Sequence, residues 1–317
     1  PINVPIGIPA GRPGEANTAL TIEQNAFAAA TFRLQTQTPA AAGRLINVAT
    51  RAFVGLGEQV LIGGFVVAGP QPQQVLIRAS GPALAAFGVS GVLADPVLRI
   101  FSGRAVAAEN DNWSAPGGEG RAAAAGEIVA AAAAARAFPF AAGSADAAVL
   151  VTLPAGAYSA VVEGTRETTG FGLIEAYETG PDAGRIIALA TRAYADRDGK
   201  ELHAGFVVRS DSGAAQRILI RVLGPSLARA PFLLTEVLDD PEMEIRDAAG
   251  RIILKNDDWS TGAEGGASAD NDFAPLVDTY GEKKIFATGH APRNRREPCV
   301  LADLAPLPRR VRASEWI

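Results

Sequence analysis

The residue types that most often carry catalysis are few in this 317-residue chain, which has one cysteine and two histidines. Cys299 lies in an apolar segment, and neither His203 nor His290 belongs to a recognisable catalytic signature. Ser80 and Ser226 flank Gly-Pro pairs without the G-x-S-x-G turn of a hydrolase nucleophile. A free cysteine in an apolar strand usually packs as a small core residue. The sequence therefore predicts no acyl-transfer site, and we expect a protein that is not an enzyme.

Phosphate and nucleic-acid binding are also disfavoured. The segment 118–123 resembles a dinucleotide-binding G-x-G-x-x-A motif, but no strand leads into it, so nothing would hold a pyrophosphate. The net charge is −5, which argues against nucleic acid as a partner. The longest apolar stretch, 121–142, is interrupted by Arg121, Glu127 and Arg136, so we expect no transmembrane segment. No cofactor is expected.

Two acidic clusters beside tryptophan are weak candidates for calcium binding. Asp111 precedes Trp113, and Asp257 and Asp258 precede Trp259, so carboxylate oxygens are grouped in a way that Ca²⁺ accepts. In the favoured interpretation, the polar side chains satisfy the backbone of a turn while the tryptophans close the end of a sandwich.

Paired charges also recur beside apolar segments. Such residues could line a ligand groove, but structural ion pairs or carboxylates that tie loops together are favoured. The pairs are Arg51 and Arg192, Arg78 and Arg221, and Asp95 and Asp240.

An internal repeat organises these features. Residues 44–53 recur as 185–194, and residues 75–82 recur as 218–225. The offset between the copies rises from 141 to 146 residues along the chain, as expected when loops of different length join equivalent strands. We predict three parts, namely an N-terminal arm (1–43), a first repeat (44–180) and a second repeat (181–317).

The elements that position these residues are predicted to be strands. Short runs rich in branched residues are bounded by Gly, Pro, Asp or Asn, which indicates an all-β fold. Their spacing favours two tandem β-sandwich domains, jelly-roll or immunoglobulin-like, with an extended N-terminal strand arm. Residues 121–137 are predicted as a short helix or an ordered loop, and residues 196–199 as a hairpin turn.

The arm contains two strand-like segments, 18–23 and 31–36. Leu20 and Ile22 share one face of the first, and Phe32 and Leu34 share one face of the second, which is the period of a half-buried strand. The first repeat continues through two strands after Pro154, whereas eleven residues follow Pro306. We therefore expect the second sandwich to lack its terminal strand or strands and to expose an open edge.

These two features predict a function. The arm would add its strands to the incomplete sandwich of a neighbouring subunit, near Val300 and Leu304, so that the chain polymerises with itself as an extracellular filament. Such a contact is heterologous and does not close by itself. Two alternatives stay open: the arm completes its own chain in cis, and the protein is a monomeric cell-surface adhesin or binding module for glycan or protein.

The motifs 44–51, 75–82, 93–96, 110–113 and 153–158 together resemble an uncharacterised module that is repeated in large secreted proteins of environmental bacteria. The resemblance covers residues 44–178, and more weakly 185 to about 306. It implies a β architecture and an extracellular or cell-surface location, with an export signal already removed. It transfers no catalytic or binding residue. Assembly by an added strand is similar to that of donor-strand fimbriae by analogy of mechanism.

Overall fold

The structure, a computed structural model, describes residues 28–34, 44–115, 123–180, 184–195, 199–209, 216–229, 233–246, 252–256, 285–290 and 299–304. Most of these residues lie in antiparallel β-strands, so the all-β prediction is confirmed. The strands are β1 (Ala28–Leu34), β2 (Arg44–Val54), β3 (Leu61–Ala68), β4 (Gln73–Ser80), β5 (Pro96–Ser102), β6 (Ala105–Asn110), β7 (Ala147–Leu153), β8 (Gly156–Gly164), β9 (Gly170–Glu178), β10 (Arg185–Ala193), β11 (His203–Arg209), β12 (Gln216–Leu223), β13 (Glu242–Arg246), β14 (Ile252–Asn256), β15 (Ile285–His290) and β16 (Cys299–Leu304).

One short α-helix, α1 (Ala125–Ala134), lies in the alanine-rich segment of the first repeat. Its first turn is capped by Glu127, whose carboxylate accepts a hydrogen bond from the backbone N–H of Ala124 at 2.8 Å. Ile128 and Ala131 of this helix are buried and belong to the same apolar cluster. The segment predicted as a short helix or an ordered loop therefore contains a helix, which covers one face of the sheet.

The strands of the first repeat form two antiparallel ladders. In one of them β9 lies between β2 and β4, and β7 pairs with the other edge of β4. In the other, β8 lies between β3 and β5, and β6 pairs with β5. The final strand of this repeat, β9, is thus a central strand with a neighbour on each side.

The second repeat has corresponding ladders, with one strand supplied from the N-terminal arm. β1 lies between β10 and β12, and β16 pairs with the other edge of β12. β15 lies between β11 and β13, and β14 pairs with β13. All of these pairings are antiparallel.

Strand pairing crosses between the two repeats. β3 of the first repeat pairs with β10 of the second, and β11 of the second pairs with β2 of the first. The described strands therefore belong to one connected network, and a separate sandwich for each repeat stays a prediction. Residues 196–198 of the predicted hairpin turn lie outside the described residues. Of the strands on either side, β10 pairs with β1 and β3, and β11 pairs with β2 and β15.

The side chains of β9 belong to two separate apolar clusters. Ile174 and Ala176 of β9 belong to the main core cluster, whereas Leu173 and Tyr177 of the same strand belong to a second cluster beside α1. Successive side chains of a strand point to opposite faces, so β9 contributes to an apolar layer on each side.

A tight turn follows β4 and recurs after β12. A Cβ atom on Gly81 would lie 2.2 Å from the carbonyl oxygen of Leu93, and one on Gly224 would lie 2.1 Å from that of Leu238. Both distances are far below van der Waals contact, so each turn requires glycine for close approach of the backbone.

Candidate strand-acceptor site

The candidate site is the place between β10 and β12 that β1 occupies, which we call the slot. The sequence predicted strands at 18–23 and 31–36 in the arm. The second is observed as β1, which begins at Ala28 and ends at Leu34. Leu20 and Ile22 lie outside the described residues. The slot is filled in cis, because β1, β10 and β12 belong to one chain.

The apolar positions of β1 lie opposite core residues of both neighbouring strands. Phe32 is paired with Leu189 of β10 and Ile220 of β12, and Leu34 is paired with Ile218. Leu189, Ile218 and Ile220 all belong to the main core cluster. The slot therefore has apolar walls at the register positions where the arm carries Phe32 and Leu34.

The predicted acceptor residues lie one strand further along the same sheet. Val300 and Leu304 are in β16, which pairs with β12 opposite to the edge that pairs with β1. Val300 is aligned with Ile220, which in turn is aligned with Phe32. The structure thus brings the predicted donor and acceptor residues into one sheet, separated by β12, and they are not direct neighbours.

β1 and β9 occupy equivalent places at the same register. β1 lies between β10, the first strand of the second repeat, and β12, which carries Arg221. β9 lies between β2, the first strand of the first repeat, and β4, which carries Arg78, and both β1 and β9 run antiparallel to their neighbours. The residues of β1 match residues of β9 at a constant offset of 144. Thr31 matches Glu175: Thr31 lies between Ala190 and Arg221, and Glu175 lies between Ala49 and Arg78. Likewise, Phe32 matches Ala176: Phe32 lies between Leu189 and Ile220, and Ala176 lies between Val48 and Ile77.

In the first repeat, the position that matches Thr31 carries a buried ion pair. Glu175 lies 3.6 Å from Arg78, and both side chains are about 1% exposed. The Glu175 carboxylate also accepts hydrogen bonds from the Tyr177 hydroxyl at 2.6 Å and from the Ser80 hydroxyl at 3.3 Å. Burial, followed by the negative charge of Glu175, raises the pKa of Tyr177 well above its ordinary value, so Tyr177 stays protonated and donates.

Aromatic rings complete the surroundings of Arg78. Its guanidinium carbon lies 4.3 Å from the ring centroid of Phe138 and 3.9 Å from that of Phe140. These rings stabilise a cation that one carboxylate neutralises. Arg78 is predicted from the sequence as a paired charge, whereas Glu175 is not predicted, and its one signal is a carboxylate inside an otherwise apolar strand.

In the second repeat, Arg221 is exposed and its cross-strand partner on β1 is Thr31, which has no carboxylate. The strand that fills the slot therefore differs from β9 in charge at the position opposite the repeated arginine. This difference is the main chemical contrast between the two places.

The other repeated arginines lie where the repeats meet. Arg192 is 3% exposed, and one of its terminal nitrogens donates to the carbonyl oxygen of Glu58 at 3.4 Å. Burial lowers the pKa of Arg192 to about 10, and the Glu58 charge opposes that shift. Burial likewise lowers the pKa of Arg51, opposed by Glu201. Each arginine thus interacts with a carboxylate from the other repeat, which supports a structural role for these charges.

Another predicted paired charge also connects loops. Asp95 accepts a hydrogen bond from the Thr165 hydroxyl at 2.6 Å. Asp146, which was not predicted from the sequence, is buried, and its carboxylate accepts hydrogen bonds from the backbone N–H groups of Gly81 and Ala83 at 2.8 and 3.1 Å. It thereby holds the turn that follows β4.

Of the three calcium candidates, the structure describes one. Asp111 is exposed, while Asp257 and Asp258 lie outside the described residues. The side chain of Asn110, beside Asp111, donates a hydrogen bond to the carbonyl oxygen of Asn112 and accepts one from the backbone N–H of Ala148, at 3.0 Å each. Among the described residues, no group of three His, Cys, Asp or Glu side chains is placed to hold a metal ion.

The residues considered for catalysis are distributed over different strands. Cys299 is the first residue of β16, His203 is the first of β11, and His290 is the last of β15. Ser80, at the end of β4, donates to a buried carboxylate, and Ser226 lies in a short 3₁₀ turn after β12.

Comparison with known proteins adds little to this geometry. No family model matches the chain, and no curated protein matches it. A DUF4785 family protein from Legionella pneumophila is similar over 92% of this chain and 71% of its own, at 8% identity and a TM-score of 0.21. That score is too low to support an argument about fold or function. No helix in the described ranges is long and apolar enough to cross a membrane.

Proposed function

We propose that the chain is a structural subunit of an extracellular filament, in which β1 of one subunit fills the slot of the next. The observation that carries the proposal is the register of β1, which matches that of β9 in the first repeat. The extracellular location rests on the resemblance of the repeat to modules of secreted proteins.

A strand that fills such a place can be supplied by another molecule. The backbone hydrogen bonds of a ladder are the same whichever chain provides the strand, and the apolar positions then determine its register. Because the arm and the slot are different surfaces, their exchange between molecules forms a heterologous contact, and repetition of that contact gives an open filament.

The length of the connection limits the geometry of such a filament. Ten Cα-to-Cα steps separate Leu34, the end of β1, from Arg44, the start of β2. At about 3.3–3.6 Å per residue, this segment spans at most about 35 Å. The slot of the neighbouring subunit must therefore lie within that distance of the start of β2.

Disulfide trapping tests the exchange directly. Thr31 and Arg221 are cross-strand partners, so cysteines at these two positions lie within reach of a disulfide. The variants Thr31→Cys and Arg221→Cys are prepared separately in a Cys299→Ser background, mixed under assembly conditions and oxidised. Exchange predicts disulfide-linked dimers of the mixed chains, together with filaments by negative-stain electron microscopy.

Two controls define the outcome. Arg229→Cys places a thiol on an exposed residue outside the slot, so its mixture with Thr31→Cys should stay unlinked. The double variant Thr31→Cys with Arg221→Cys, in one chain, reports pairing in cis. Linked double-variant monomers without linked dimers from the mixture would refute the filament proposal.

The second candidate function is a monomeric surface module that binds glycan or protein, and it is favoured by the pairing of β1 within its own chain. Its ligand would bind away from Trp113, because that side chain is 8% exposed and its ring N–H donates to Ser144 at 3.2 Å. Binding of a glycan to discrete monomers, with no exchange of β1, would favour this function.

A further inference from the structure

We propose that the slot selects strands by charge at the position opposite Arg221, and that it binds an extended strand with a carboxylate there in preference to β1. The inference rests on the proposed replacement of β1 in the slot, and it goes beyond that proposal by naming the chemistry of the preferred strand. The partner is a strand with an acidic residue at the position of Thr31 and apolar residues at the positions of Ala30, Phe32 and Leu34.

The first repeat provides the precedent for this preference. There the strand at the equivalent place is β9, and its Glu175 is the cross-strand partner of Arg78. The two side chains form an ion pair at 3.6 Å. Because Arg78 and Arg221 are equivalent in the sequence repeat and in register, the same charge complementarity is available in the second repeat.

β1 does not use that complementarity. Thr31 lies opposite Arg221, and a threonine hydroxyl carries no charge. Arg221 is also exposed, so a carboxylate on an incoming strand reaches it without desolvation of a buried cation. The backbone of β1 pairs with β10 and β12, and its register places Ala30, Phe32 and Leu34 opposite apolar residues. A strand with a carboxylate at position 31 would add a charge opposite Arg221.

The apolar walls define the remainder of the preferred pattern. Ala30, Phe32 and Leu34 lie opposite Val222, Ile220 and Ile218, all three of which belong to the main core cluster. A strand with polar residues at these positions would leave part of that cluster uncovered. The acidic position alone is therefore insufficient, and the alternation of apolar residues around it is part of the recognition.

The expected selectivity is modest because Arg221 is exposed. Opposite charges on neighbouring strands and exposed ion pairs both contribute only a small free energy. We therefore expect a carboxylate at position 31 to improve binding by about twofold to fivefold relative to an uncharged side chain of the same size. This gain should decline at 1 M salt, where the screening length falls to about 3 Å.

A peptide competition with the full chain tests the preference. A fluorescent peptide of residues 26–36 is displaced by unlabelled peptides with Thr31, Thr31→Glu or Thr31→Gln. The Thr31→Glu peptide should displace it at a concentration about twofold to fivefold below that of Thr31→Gln. The difference should vanish when the full chain carries Arg221→Gln. Equal displacement by the two peptides, or no displacement by any, would overturn the inference.

A second measurement needs no exchange of strands. The full-length variants Thr31→Glu and Thr31→Gln are compared by thermal unfolding, with Arg221 intact and with Arg221→Gln. We expect Thr31→Glu to be the more stable of the two only when Arg221 is present, and zero coupling would overturn the inference. Failure of the filament proposal is distinguishable, because disulfide trapping reports whether β1 exchanges between chains and these measurements report which side chain the slot prefers.

Discussion

Replacement of Glu175 by glutamine tests the buried ion pair of the first repeat. The substitution keeps the size of the side chain but leaves the Arg78 guanidinium buried without its counter-charge. Breaking a buried pair from one side costs about 3–5 kcal/mol, because an uncompensated charge remains in the interior. Glu175→Gln should therefore lower the free energy of unfolding by that amount.

The corresponding shift in melting temperature follows from the size of the chain. An unfolding entropy of about 2.1 cal/mol/K per residue gives about 0.67 kcal/mol/K for 317 residues. A loss of 3–5 kcal/mol then lowers Tm by about 4–8 °C. Circular dichroism during thermal unfolding measures the shift in Tm, and urea titration measures the loss in free energy of unfolding.

A partly exposed ion pair provides the matched control. Arg99 and Glu163 pair on neighbouring strands with side chains 31% and 38% exposed, so Glu163→Gln should change stability by about 1 kcal/mol or less. Combining Glu175→Gln with Arg78→Met removes both buried charges and should recover part of the loss. A Glu175→Gln variant that is as stable as Glu163→Gln, or a double variant no more stable than Glu175→Gln alone, would contradict a stabilising role for the buried pair.

Three further predictions concern turns, pH and cooperativity. Gly81→Ala should cost at least about 2 kcal/mol in urea unfolding because its Cβ would meet the Leu93 carbonyl oxygen, whereas Gly88→Ala, with φ of +82° and open space, should cost about 1 kcal/mol. The pKa of Tyr177 is raised in the folded state, so the unfolded state loses this proton first and stability should fall as pH rises above about 10; Tyr177→Phe should remove that component in a matched pH series. Because strands cross between the repeats, Gly224→Ala in the second repeat should shift one common unfolding transition, and two separate transitions would contradict this.

Much of the local structure was predictable from the sequence. Alternating apolar residues indicated strands, and the alanine-rich segment indicated the helix now observed as α1. The second arm strand was also anticipated, although β1 begins three residues before Thr31 and ends at Leu34. Strand ends are difficult to predict because they depend on where neighbouring strands stop, and the residues that pair with β1 lie 155 to 194 residues further along the chain.

The chemistry of the slot was only partly predictable. Arg78 and Arg221 were visible as a repeated pair of charges, but the contrast between Glu175 and Thr31 was not. Glu175 and Arg78 are 97 residues apart, and Thr31 lies outside the repeat altogether. A comparison of the two copies cannot align residues from the arm with residues from β9, so their equivalence is visible only in the register of the sheet.

By itself, the sequence determined that the elements are mainly strands and that the main strands are duplicated, because side-chain period and turn residues act locally. The tertiary structure decided which strands are neighbours. β3 pairs with β10, and β11 pairs with β2, although β2 and β3 are consecutive strands along the chain, as are β10 and β11. Backbone hydrogen bonds are the same for every strand, so the partner is selected by the apolar faces that the whole chain can bury together.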